Sequence, residues 1–166
     1  EDPWKGVFSA GYFGIVPLMG DFDIQVDYHV LVWPPGNGVR LGLGALGSYP
    51  VERISFGWLE FPEYSREVYC TDFGDGVNGV TPTTDLSGKL RLVRSGTTLS
   101  GYYLNLGNWV LLHSGTPTPV HAGFWFGGWS HDYAFADQEV KIAFDNFTIV
   151  PEPSTLLLLG FGLAGL

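Results

Sequence analysis

Four polar residues near the start of the chain have a spacing that could support acid–base chemistry. Asp21, Asp23, Gln25 and Asp27 recur at every second position, so a β-strand would place them on one face. A retaining glycosidase needs two carboxyl groups about 5–5.5 Å apart, one of them with a raised pKa. A solvated outer strand face explains the same alternation, and we favour that interpretation.

A second group of oxygen ligands falls within one turn-rich stretch. Its members are Asp72, Asp75, Asn78 and Asp85. Calcium binds six to eight oxygen ligands and is often held by acidic loops, so these residues predict a possible calcium site. The spacing matches no EF-hand loop, and Asp-Gly and Asn-Gly pairs are common in ordinary turns. Both interpretations stay open.

Aromatic residues interleaved with polar ones suggest a third chemistry, contact with sugars. The stretch Trp125–Tyr133 reads Trp-Phe-Gly-Gly-Trp-Ser-His-Asp-Tyr. Sugars present apolar C–H faces that stack on aromatic rings, while neighbouring polar groups bond their hydroxyls. The predicted glycan-contact residues are Trp58, Trp129, His131, Asp132 and Tyr133. The alternative is that these aromatic side chains fill a core or a subunit interface.

Nucleophilic catalysis has little support in the sequence. The four histidines lack metal-ligand spacing, and there is no Gly-x-Ser-x-Gly elbow. The single cysteine, Cys70, excludes an intrachain disulfide and is either a buried thiol or an intermolecular bridge. We therefore predict a protein that is not an enzyme.

The composition favours one acidic domain built of strands. The chain has 166 residues, with 17 acidic against 8 basic side chains and a net charge of −9. That charge repels phosphate backbones, which argues against nucleic-acid binding. Twenty-four glycines and 16% aromatic residues favour strands and tight turns.

Period-two alternation is clearest in Asp21–Trp33, where apolar residues from Phe22 to Val32 share one face. A hairpin is predicted around Ser95-Gly96, and a β-bulge near Asp145-Asn146. Pro50 and Pro62 are interpreted as breaks, and residues 72–79 as a loop. The remaining predicted strands are Val39–Leu46, Val51–Gly57, Arg66–Thr71, Lys89–Arg94, Thr97–Tyr103, Trp109–His113, Val120–Trp129 and Glu139–Val150. This pattern predicts an all-β, antiparallel sandwich.

The last sixteen residues form a separate segment. Pro151, Glu152 and Pro153 are followed by Ser154, Thr155 and an apolar run. This resembles the PEP-CTERM sorting signal, a C-terminal tail that Gram-negative bacteria pair with a membrane protease called exosortase. The resemblance implies export to the outer cell surface or beyond, and Glu1 in place of methionine suggests a removed signal peptide. We divide the chain into a domain over 1–150 and a sorting tail over 151–166.

The apolar run is short for a membrane anchor. PEP-CTERM tails normally continue to a membrane-spanning length and a basic cluster, whereas this chain stops at Leu166. Eleven helical residues reach about 16 Å, against a hydrocarbon core of about 30 Å. We expect the tail to pack in an apolar groove of its own domain or of another copy. The residues expected to make that contact are Leu156, Leu157, Leu158, Leu159, Phe161 and Leu163.

Several pieces of residues 4–150 resemble concanavalin A-like lectin/glucanase jelly rolls, in the laminin-G-like branch. They are Phe-Asp-Ile-Gln-Val-Asp from Phe22, the Leu90–Tyr103 hairpin, Gly-Asn-Trp at 107–109 and Phe-Asp-Asn-Phe-Thr-Ile from Phe144. The resemblance implies a jelly-roll fold shared by lectins, glycosidases and adhesion modules. The glucanase pattern Glu-x-Asp-x-x-Glu is absent. We expect a structural surface protein that associates with its own copies, into a matrix or filament; the alternative is a lectin-like module that binds exopolysaccharide.

Overall fold

The structure is a computed structural model, and it describes residues 9–14, 18, 20–33, 39–45, 49–54, 67–117, 123–130 and 139–150. Four of the predicted glycan-contact residues, Trp58, His131, Asp132 and Tyr133, lie outside these ranges. The sorting motif and the expected assembly tail, both within 151–166, also lie outside them.

The described residues form two antiparallel sheets packed face to face, as the sequence predicts. The six-stranded sheet has the order β1-β10-β3-β4-β5-β6, and the five-stranded sheet has the order β11-β2-β7-β8-β9. Among these residues there is no helix, and so none long and apolar enough to cross a membrane. The strands are β1 Ser9–Gly14, β2 Phe22–Val32, β3 Val39–Ala45, β4 Tyr49–Ile54, β5 Val68–Asp72, β6 Asn78–Pro82, β7 Ser87–Ser95, β8 Thr98–Asn105, β9 Asn108–Gly115, β10 Phe124–Ser130 and β11 Lys141–Val150.

The core lies between the sheets and follows the alternation of the strands. On β2, Phe22, Ile24, Val26 and Tyr28 are buried, while the intervening acidic residues face outwards. The fully buried partners across the core include Leu41 and Leu43 of β3. Each such side chain contributes about 1.5–3 kcal/mol when it leaves water, which makes this interface the main stabilising layer.

The predicted hairpin between Lys89–Arg94 and Thr97–Tyr103 and the predicted bulge are confirmed. Hairpins join β7 to β8 through Gly96-Thr97 and β8 to β9 through Leu106-Gly107. In β11 the pairing jumps from Asp145 opposite Asp27 to Thr148 opposite Gln25. Asn146 takes a φ of 49° there, and its side-chain amide donates to Asp27 Oδ2 at 2.8 Å. The bulge therefore shifts the apolar phase of β11 while the strand stays paired.

Two local predictions are wrong, and one strand was missed. Pro50 lies within β4 opposite Gly44, although it was interpreted as a break. Asn78 and Gly79, predicted as loop, begin β6 and pair with Asp72 and Thr71. β1 was not predicted, because its apolar, glycine-rich sequence has no period-two pattern and its pairing with β10 is long-range.

Candidate functional site

Three rows of residues cross the outer face of the six-stranded sheet. Because Leu41 and Leu43 point into the core, the even-numbered residues of β3 and their cross-strand partners point outwards. The central row joins Gly11 of β1, Gly127 of β10, Gly42 of β3 and Glu52 of β4. The flanking rows are Ser9, Trp129 and Arg40 on one side, and Phe13, Trp125, Gly44 and Pro50 on the other.

Glycine is required where the aromatic rings lie close to the sheet. A Cβ on Gly42 would stand 2.9 Å from the Trp129 ring, and one on Gly44 would collide with the Trp125 ring. Both indole rings therefore lie directly over the β3 backbone. The rings also meet each other edge-on, with centroids 4.9 Å apart and planes at 75°. This packing holds both tryptophans in fixed positions.

These rows border an open cleft of about 530 Å³, which is within the size range of small-molecule binding sites. Its floor is backbone from β1 and β10, and its sides are aromatic. The described lining residues are Ser9, Ala10, Gly11, Tyr12, Phe13, Pro50, Glu52, Trp125, Phe126, Gly127, Gly128 and Trp129.

A buried ion pair stands at the inner end of the cleft. Arg40 Nη1 donates to Glu52 Oε2 at 3.0 Å, and the two side chains are only 10% and 7% exposed. Among the described residues that line the cleft, Glu52 supplies the one carboxylate. The cleft thus combines flat apolar surfaces with a charged hydrogen-bonding group, a combination suited to binding a polar ligand that has apolar faces.

Trp129 is the predicted glycan-contact residue that the structure places in this cleft. Trp125 begins the stretch predicted for sugar contact but was not singled out, and Phe13, Arg40 and Glu52 were missed by the sequence analysis. One signal could have indicated the surface: Gly42 and Gly44 alternate within β3, and Trp125 and Trp129 are four residues apart in β10. Even spacing in a strand means a shared face, so these pairs indicate a flat surface covered by rings. The ion pair had no comparable local signal.

The acidic face of β2 lies on the opposite side of the molecule. Asp23 forms two hydrogen bonds with Arg91, at 2.6 and 2.9 Å, and Asp27 lies 2.9 Å from Lys89. The Arg91 guanidinium also stacks over the rings of Tyr102 and Trp109. These carboxylates take part in ion pairs across the outer face of the five-stranded sheet, as expected for a solvated strand face.

Asp72, Asp75 and Asn78 lie at the β5–β6 turn, whereas Asp85 follows β6 and accepts the Tyr69 hydroxyl at 2.7 Å. Asp72 Oδ1 accepts the Gly74 amide and Asp75 Oδ1 accepts the Val77 amide, which are ordinary turn contacts. The hydrogen bond with His113 Nε2 at 2.8 Å lowers the pKa of Asp75. Within the described ranges, no three or more His, Cys, Asp or Glu side chains are grouped to hold a metal. A calcium site at Asp72, Asp75 and Asn78 stays a prediction.

Cys70 of β5 is a buried free thiol, opposite Glu52 on one side and Val80 on the other. Its 3% exposure agrees with the buried-thiol alternative.

The fold is an all-β jelly-roll sandwich, and several solved structures have a similar one. The CBM2 module of the Lactobacillus casei BL23 phage J-1 evolved Dit aligns with a TM-score of 0.55 and 12% identity, over 82% of this chain and 66% of that one. Cellulose induced protein, Cip1, aligns with a TM-score of 0.52 and 14% identity, over 86% of this chain and 72% of that one. The alginate lyase AlyA1 from Zobellia galactanivorans aligns with a TM-score of 0.51 and 12% identity, over 84% of this chain and 64% of that one. At these identities the likeness concerns the fold alone, and this chain spans about two thirds of the phage and lyase chains.

The C-terminal segment carries the more specific identification. Residues 150–166 match the PEP-CTERM protein-sorting motif. The motif indicates an exported protein that is processed by exosortase and sorted to the cell surface. No curated protein sequence matches the chain.

Proposed function

We propose that this protein binds an extracellular polysaccharide in the cleft on the outer face of its six-stranded sheet. The observation that carries the proposal is the pair of fixed tryptophans, Trp125 and Trp129, beside a floor of glycine backbone. Sugar rings can lie against such a floor because Gly11 and Gly127 add no side chains to it. The rings of the two tryptophans then provide surface for the sugar C–H faces.

Two further features support this function. The ion pair of Arg40 and Glu52 places charged hydrogen-bonding groups beside the aromatic surface, where sugar hydroxyls would need partners. Two proteins of similar fold carry names that point towards polysaccharide, a CBM2 module and a cellulose induced protein. The sorting motif is consistent with a protein that contacts polysaccharide outside the cell. We propose that the cell is a Gram-negative bacterium.

We further propose that the cleft binds its glycan without cleaving it. A glycosidase requires two carboxyl groups on either side of the scissile bond. Of the described cleft residues only Glu52 carries a carboxylate, and it is bonded to Arg40. Asp23 and Asp27 cannot assist, because they lie on the outer face of the other sheet.

The proposal predicts that Trp129→Ala weakens glycan binding by at least about tenfold, the scale of a buried aromatic contact at the centre of an interface. Binding would be screened on an array of bacterial and plant polysaccharides and quantified by titration calorimetry. Trp109→Ala is the matched control, since Trp109 is also half-buried but lies on the outer face of the five-stranded sheet. An array with no bound glycan, or equal losses in both variants, would overturn the proposal.

Self-association into a matrix or filament is a second candidate, and the edge strand β1 favours it. The other three sheet edges carry features that discourage pairing: Pro82 in β6, register shifts beside β9 and β11, and charged residues in β11. β1 has no charge, proline or register shift. It leaves Tyr12 and Phe13 58% and 59% exposed. A second copy could therefore extend the sheet along β1, and the apolar tail from Leu156 could strengthen the contact.

Sedimentation velocity on the full chain tests this second candidate. Ala10→Lys places a charge on the exposed β1 edge and is expected to dissociate assemblies into monomers. Leu106→Lys is the control, because it adds the same charge at a turn residue that is 94% exposed. Assemblies that survive Ala10→Lys would exclude β1 pairing, and assemblies that survive deletion of 156–166 would exclude a role for the tail. A wild-type chain that is monomeric at all concentrations would exclude self-association.

A further inference from the structure

We infer that the cleft receives the end of a glycan chain rather than a segment from its interior. This inference rests on the polysaccharide binding proposed above, and it concerns the shape of the same cleft. It follows from which sides of the cleft are open and which are closed.

The inner end of the cleft is closed by side chains. Trp129 covers Gly42 and Trp125 covers Gly44, so both β3 positions that could continue the floor lie beneath indole rings. Beyond them, Glu52 is 6% exposed, and Cys70, its neighbour on β5, is 3% exposed. A chain that crosses the strands from β1 towards β4 therefore reaches buried side chains and can go no further.

The direction along the strands is also obstructed. Trp125 and Trp129 lie two residues before and two residues after Gly127 on the same strand, and their rings meet over β3, with centroids 4.9 Å apart, so they form a continuous wall on that side of the glycine floor. On β1, Phe13 lies two residues after Gly11 and opposite Trp125. A polysaccharide running parallel to the strands would have to pass over both indole rings on the β3 side, or past Phe13 on the β1 side.

No described residue closes the outer end of the cleft. β1 is the edge of the sheet, and Ser9–Phe13 are all exposed. Adjacent strands lie about 4.8 Å apart, so the floor from Gly11 of β1 to the covered Gly42 of β3 spans two strand spacings, or about 10 Å. That length suits a short run of sugar rings entering from the β1 edge with its terminal ring against the tryptophans and Glu52.

The closed end also supplies directional groups. The hydrogen bond between Arg40 and Glu52 fixes both side chains, so the Glu52 carboxylate is held in one orientation at the end of the cleft. A terminal sugar has one more free hydroxyl than an internal one, and a fixed charged group distinguishes the two by hydrogen bonding. The predicted ligand class is therefore the terminal oligosaccharide of an extracellular polysaccharide.

Titration calorimetry with defined ladders of cello-, xylo- and alginate oligosaccharides tests the inference. We expect affinity to rise with length and to level off at about two rings, the length that the strand spacing allows between Gly11 and the covered Gly42. The stoichiometry should stay at one protein per glycan chain for every longer oligomer. On the parent polymer, partial depolymerisation should increase the protein bound per gram in proportion to the number of chain ends.

The outcomes separate this inference from the proposed function. A number of bound proteins per glycan chain that rises with oligomer length would show interior binding. So would polymer binding that does not change with the number of chain ends. Either result would overturn this inference and leave the proposed function standing. Absence of binding to every ladder and polymer would overturn both. Trp109→Ala should behave as the wild type in each titration, since it lies on the opposite sheet.

Discussion

The variant Glu52→Ala is expected to lower the free energy of unfolding by about 3–5 kcal/mol, the usual effect of removing one partner from a buried ion pair. Arg40 would keep its charge in a site that is 10% exposed, but without the carboxylate that accepts from Nη1 at 3.0 Å. The large effect reflects the cost of holding that charge away from water. Chemical denaturation of the wild-type protein and of Glu52→Ala measures this difference in unfolding free energy.

Two comparisons distinguish the buried pair from an ordinary surface contact. Glu139→Ala removes the partner of Lys141, and those side chains are 62% and 57% exposed, so we expect a change of less than about 0.5 kcal/mol. The double variant Arg40→Met/Glu52→Leu removes both charges and should recover most of the loss. Equal effects of Glu52→Ala and Glu139→Ala would show that the interior position of the Arg40–Glu52 pair is energetically unimportant.

The second large effect is expected at a hydrogen-bond chain that joins the two sheets. Tyr28 of β2 and Tyr69 of β5 approach to 2.6 Å between their hydroxyls, and Tyr69 donates to Asp85 Oδ2 at 2.7 Å. Since the Tyr69 proton is directed at Asp85, Tyr28 is the donor in the first bond. Tyr69 also stacks on Tyr103 of β8, with ring centroids 4.4 Å apart.

Tyr69→Phe should therefore cost about 1–3 kcal/mol at neutral pH, because the Tyr28 hydroxyl, which has no exposed surface, loses its acceptor. Tyr102→Phe is the matched control. Tyr102 lies on the outer face of the five-stranded sheet, and phenylalanine keeps the ring under Arg91, so we expect a change within about 0.5 kcal/mol. If Tyr69→Phe loses no more unfolding free energy than Tyr102→Phe, the hydrogen-bond chain does not stabilise the fold as predicted.

The same tyrosine predicts how stability responds to alkaline pH. Burial, and then the neighbouring Tyr28, raise the pKa of Tyr69 far above its ordinary value of 10.0. In the unfolded chain Tyr69 loses its proton near pH 10, whereas in the folded protein it keeps it. The stabilising contribution is therefore complete below pH 10 and declines as the pH rises further, by about 1.4 kcal/mol per pH unit for this group.

Tyr69→Phe removes this dependence. The difference in unfolding free energy between wild type and variant should shrink above pH 10, because only the wild type has this proton to lose. Urea denaturation at several alkaline pH values provides the measurement. A difference that stays constant across this range would rule out the raised pKa of Tyr69 as a source of alkaline sensitivity.

The residues of the cleft differ in how well the sequence predicts them. Trp129 was identified from the sequence because aromatic and polar residues alternate around it, which is a local property. Arg40 and Glu52 gave no such signal, since they are twelve residues apart on different strands and meet only when β3 pairs with β4. The same holds for Gly11, whose importance depends on its position opposite Gly127.

The amino-acid sequence was enough to predict the strand character of the chain, the two faces of β2, the β7–β8 hairpin, the bulge at Asn146 and the sorting motif. Each of these depends on residues that are close together in the chain, through period-two alternation, positive φ or a short motif. The position of β10 between β1 and β3 is evident only in the folded protein. That order depends on which distant strands bury their apolar faces together, and it creates the glycine floor, the tryptophan pair over β3 and the closed end at Glu52.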